Sequence, residues 1–248
     1  MDLVNEEFVS WASGFSGCDG GDIGSPQSRS IWFCGIEWGG GHPSDEHELR
    51  NRIFSEKVDL PNEGYTDWTE NIVVPFNRQA LKLLTSINGG SVPAYKEFAE
   101  INQPFIKGAK GYFKANLYPL AFKNTSHELW KDGFSKATGI NKKQDYLEWV
   151  RVNRFPEMKR WVETYCPQLI VCVGKSYLTE YALAFADDGL AFNTEVIDDR
   201  ELNWVVNMNG TILVVIPFML NRYGLTKNES IQKFGDRIGE LLLGIKFK

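Results

Sequence analysis

The chain has 248 residues, 43% of them hydrophobic and 24% charged, with a formal net charge of −5. This is an ordinary globular composition, large enough for one domain spanning 1–248 with a core that buries whole strands. The net charge argues against a general polyanion binder but leaves room for a local basic face. No apolar run approaches the roughly 18 residues that a bilayer span needs. Of the four cysteines, Cys18, Cys34, Cys166 and Cys172, none forms a C-x-x-C pair, and Cys34 and Cys172 lie in apolar runs as free buried thiols. The start, Met1 to Glu7, is acidic and lacks a signal peptide's basic residues. A cytoplasmic, reduced setting and a monomer are the expectations.

Val4, Phe8, Trp11 and Phe15 recur at helical spacing and predict an amphipathic helix. A glycine-rich loop leads to Ile31–Gly35, a short buried strand that runs into Glu37 and the triplet Gly39–Gly41. A carboxylate therefore stands just past a buried strand, on backbone that lets a ligand approach. Ser44 is placed to cap a short helix. Phe54–Glu70 reads as irregular, Ile72–Phe76 as extended, and Arg78–Ile87 as a helix ended by Asn88-Gly89-Gly90.

Tyr112–Leu117 is the second strand, stopped by Pro119. Ser126 to Tyr165 is helix-rich. Leu169–Val173, Gly174 and a helix from Ser176 to Phe185 form a strand–glycine–helix unit typical of a parallel sheet. Glu201–Met208 and Thr211–Ile216 flank Asn209-Gly210, a hairpin signal. Thr226 to Glu229 reads as a capping box opening a last helix. Four buried strands thus end on Glu37, Asn116, Gly174 and Ile216; in one parallel sheet all four ends share an edge.

The segment Tyr112–Leu129, with Asn116-Leu117-Tyr118-Pro119-Leu120-Ala121-Phe122, resembles the uracil-DNA glycosylase superfamily and is closest to its single-strand-selective monofunctional branch. Gly35-Ile36-Glu37-Trp38-Gly39 stands where that family has its first catalytic motif. Pro167–Gly174 resembles its P-x-L-V-V-x-V-G strand, and Ile216–Arg222 falls at its H-P-S motif. The resemblance implies a three-layer α/β/α sandwich around a central, mostly parallel four-stranded sheet. It also implies hydrolysis of the N-glycosidic bond of a damaged base flipped from DNA, single-stranded or damaged, with no cofactor. On this reading Glu37 positions water, Asn116 reads the base edge, and Phe76 or Trp38 stacks on the base. Phe218, Asn221, Arg222 and Tyr223 form a loop that enters the base stack. Lys123, Lys175, Arg222 and Lys227 would make a basic rim.

Two departures bear on activity. Ile216-Pro217-Phe218 lacks the family's histidine, and Trp38 replaces the first motif's proline. The second expectation is therefore a catalytically silent member that binds nucleic acid or a nucleotide-like ligand. His42 and His47 amid Asp45, Glu46 and Glu48 lack metal-site spacing, so no metal is expected.

Overall fold

The computed structural model describes residues 4–37, 39–124 and 126–246; Trp38, offered as a base-stacking residue, lies outside them. One mixed sheet of seven strands carries the fold, in the order β1-β3-β2-β4-β7-β6-β5. The strands are β1 (Gly20–Gly21), β2 (Ile31–Gly35), β3 (Tyr112–Asn116), β4 (Leu169–Val173), β5 (Asn193–Ile197), β6 (Arg200–Val206) and β7 (Ile212–Ile216). The four expected strands are β3, β2, β4 and β7, adjacent and mutually parallel, each fully buried.

The sheet is wider than the four strands expected. β1 adds to β3 and β6 to β7, both antiparallel, and β5 pairs with β6. β6 and β7 form the expected hairpin about Asn209-Gly210. β5 escaped notice because its alternation is masked by polar residues, Asn193, Thr194 and Glu195, on an edge that is mostly exposed.

Helices complete the fold: α1 (Glu6–Ser13), α2 (Glu46–Phe54), α3 (Trp68–Val73), α4 (Pro75–Ile87), α5 (Tyr95–Asn102), α6 (Asp132–Thr138), α7 (Lys143–Asn153), α8 (Phe155–Tyr165), α9 (Leu178–Phe185) and α10 (Asn228–Lys246). Alternate strand residues feed two cores. Trp32, Cys34, Phe113, Ile170 and Leu213 pack with Phe8, Tyr146, Phe155 and Tyr181 from α1, α7, α8 and α9. Ile31, Phe33, Val171 and Val214 pack with Leu83, Leu84, Phe234 and Ile238 from α4 and α10. Each Val, Leu, Ile or Phe among them is worth about 1.5–3 kcal/mol when fully buried, so both faces hold the sheet. No described helix is long and apolar enough to cross a membrane.

Two local expectations are corrected. Asp45, not Ser44, caps α2, its side chain accepting the Glu48 N–H. Ile72–Phe76 is helical, broken once: α3 is capped by Asp67 and ends at Val73, and Pro75 opens α4. The proline pushes Val74 into an extended conformation but suits the first turn of a new helix. Phe76 therefore sits in the first turn of α4 and not in extended chain.

Candidate active site

Parallel pairing brings the four strand ends to one edge. Gly35 is the register partner of Asn116 and Val173 that of Ile216, while the Gly174 N–H donates to Ile216 O at 2.9 Å. The loops continue the pairing for one step, since Leu117 and Tyr118 donate N–H groups to Gly35 O and Ile36 O. The arrangement thus places Glu37 and Asn116 at the same edge despite their separation in sequence.

Asn116 lies on the face of β3 that also carries Lys114, and it is buried. Its Nδ2 donates to Gly17 O at 2.9 Å, which fixes the amide and turns Oδ1 toward Gly35. A Cβ on Gly35 would stand 2.5 Å from Asn116 Oδ1 and 3.6 Å from Phe76 Cζ. The missing side chain therefore lets the amide oxygen sit directly against the Gly35 backbone, with the half-buried Phe76 ring beside it. Phe76 also packs edge-on against Phe33, with ring centroids 5.8 Å apart.

Under that ring lies a polar network that sequence reasoning missed. Lys114 Nζ donates to Asn77 Oδ1 at 2.6 Å, meets Asp19 Oδ2 at 2.7 Å and stands 5.4 Å from the Phe76 centroid. Tyr65 joins it, donating to Asp19 and accepting from Asn77. The signal was present: Lys114 shares a strand face with Asn116, and a lysine on a buried strand needs a partner.

Glu37 is turned the other way, toward α7. Its side chain is 8% exposed, and its Oε2 stands 3.8 Å from Lys143 Nζ, whose own side chain is 1% exposed. That distance is an ion pair without a direct hydrogen bond. Burial pushes the Glu37 carboxyl up to about 7, the Lys143 ammonium opposing the shift. A carboxyl in that range can serve as a base near neutral pH.

Arg154, from the start of α8, ties the region together. It is fully buried and donates to the carbonyl oxygens of Ala12, Gly14, Ser16 and Leu117. These bonds anchor the end of α1 and the loop that follows it, and with them the Gly17 carbonyl that holds Asn116.

The loop after β7 divides in two. Met219 is in the core and Phe218 is half-buried against it, whereas Leu220, Asn221, Arg222 and Tyr223 are exposed. Arg222 stacks its guanidinium over the Tyr223 ring at 4.5 Å. Arg222, Tyr223 and Lys227 line a hollow of about 320 Å³ shared with Asp198, Asp199 and Arg200. The expected rim is mixed in charge, since Lys175 pairs with Glu201 at 2.8 Å. Ile216, at the end of β7, is fully buried. The His42 Nδ1 accepts the Ala121 N–H at 2.7 Å, and burial, helped by Arg52, pulls its imidazole down to about 4. The described residues hold no cluster of three or more metal-ligating side chains.

No family model matches the chain, and no curated protein matches it.

Proposed function

We propose that the protein is a base-excision hydrolase, a DNA glycosylase of altered specificity built as a three-layer α/β/α sandwich of the uracil-DNA glycosylase kind. The observation that carries this is the meeting of Gly35, Asn116 and Phe76 at the carboxyl edge of the parallel strands. An amide held by one hydrogen bond offers a fixed acceptor to a base edge, and an adjacent ring offers a stacking face. Glu37, two residues past Gly35 at the same strand edge though turned toward α7, takes the part of the base. Its carboxylate orients a water whose oxygen bonds to the sugar C1′ as the C1′–N bond breaks. The bonding pair leaves with the base, and the water proton passes to Glu37. Asn221 and Arg222, exposed on the loop after β7, are the donors available to the departing base anion.

A specific observation favours the second reading, a silent binder: Ile216 offers no donor where the family's histidine would act. The two are separated by incubating the protein with oligonucleotides carrying uracil and other damaged bases and assaying abasic sites. Cleavage of any one supports the hydrolase. Binding to a damaged-base strand without abasic sites supports the binder.

A further inference from the structure

Lys143 belongs to none of the edge motifs, and its placement runs against two local preferences. It is the first residue of α7, where an ammonium opposes the helix dipole. It is also buried, with no hydrogen-bond partner for Nζ among the described residues. The ammonium lies 3.9 Å from the Phe122 ring centroid and 3.8 Å from Glu37 Oε2. Glu37 Oε1 is likewise buried without a hydrogen-bond partner among the described residues. Two opposite charges are thus held side by side by packing, each the other's main compensation.

We propose that Lys143 is a positioning residue of the Glu37 site: its ammonium holds the buried carboxyl in place and keeps it able to ionise at neutral pH. The catalytic consequence rests on the hydrolase reading; the electrostatic one rests on the pair alone. Burial by itself drives a carboxyl toward its neutral acid, which cannot act as a base. Lys143 opposes that drift, and burial in turn pulls Lys143 down while Glu37 pushes it up. The other groups facing Glu37 are weaker actors. Tyr118 and Tyr146 are phenols that burial pushes up, so they stay neutral. Arg151 and Glu180, near Tyr118, bind each other at 2.7 Å. Arg154 is spent on backbone carbonyls.

The test is a carbon-13 NMR titration of the Glu37 side-chain carboxyl, assigned with Glu37→Gln, in wild type, Lys143→Met and Lys143→Arg. Single-turnover excision is followed over the same pH range. The expected wild-type midpoint lies near 7. Lys143→Met moves it upward by about one unit or more, Lys143→Arg restores it, and the excision profile moves with it. A wild-type midpoint near the ordinary 4.5, an unmoved midpoint in Lys143→Met, or an excision profile that ignores the titration overturns the proposal. Should Lys143→Met fail to fold by circular dichroism, Lys143→Gln takes its place. If no base is excised at any pH, the hydrolase reading falls, and the titration still decides whether Lys143 governs Glu37.

Discussion

Gly35 and Asn116 are register partners on β2 and β3, and the Asn116 amide can lie against its partner only because residue 35 has no side chain. Alanine there would press on a buried amide that Gly17 already holds, with no flexible end to yield. Gly35→Ala is expected to lose about 1–3 kcal/mol of stability and to abolish binding of a base-mimicking ligand. Calorimetry together with a binding titration checks both. A variant that binds as well as wild type would remove Asn116 and Phe76 from the site.

Glu37→Gln keeps the shape of the side chain and removes its charge. Excision is expected to fall about 10²–10⁴-fold, with DNA affinity unchanged or slightly higher, in single-turnover and equilibrium measurements. The same variant has a stability signature. The folded-state carboxyl, raised to about 7 from 4.5, keeps its proton longer than the unfolded chain does. Its contribution is therefore present below pH 4.5 and lost as pH rises to 7, roughly 3 kcal/mol in all. Urea unfolding of wild type across that window should show this decline, and Glu37→Gln should lack it.

Arg154→Lys is expected to cost about 3 kcal/mol or more. Lysine has three donors on one atom and cannot span carbonyls that the guanidinium fork reaches, so buried acceptors are left unpaired. The loss should appear as a lower denaturation midpoint. It should also loosen Asn116 by freeing the loop that carries Gly17.

Arg222→Ala tests the loop after β7. Association with single-stranded DNA should weaken, and the slope of log affinity against log salt should shrink by about 0.7, one phosphate contact's worth. An unchanged slope would show that Arg222 meets no phosphate.

The parallel strands were legible because Ile31–Gly35, Leu169–Val173 and Ile212–Ile216 are apolar on both faces, which only a doubly covered sheet requires. Their shared edge followed from the topology, and with it the placing of Glu37 and Asn116 at one edge, but not the turn of the Glu37 side chain toward α7. Edge strands β1 and β5 were not legible: two glycines and a polar run carry no periodic signal. The β-branched run Ile72-Val73-Val74 before Pro75 suggests extended chain, a local preference that tertiary packing overrides. Within the site, Lys143 and Arg154 were missed for a common reason. Each looks like a surface charge on a helix, and only the fold reveals that it faces inward.

The cysteines have a practical consequence. Cys18, Cys34 and Cys172 are buried, with Cys18 pushed up to about 12 by burial and Cys172 well above its ordinary value. Cys166 alone of the four is partly open to solvent. It caps the end of α8 just before β4 begins, at the opposite end of the sheet from Glu37. A maleimide dye should therefore couple once per native chain, at a point remote from the strand ends. Rotational depolarisation of that dye would then register capture of an added oligonucleotide, if there is any, with the label kept away from the strand ends.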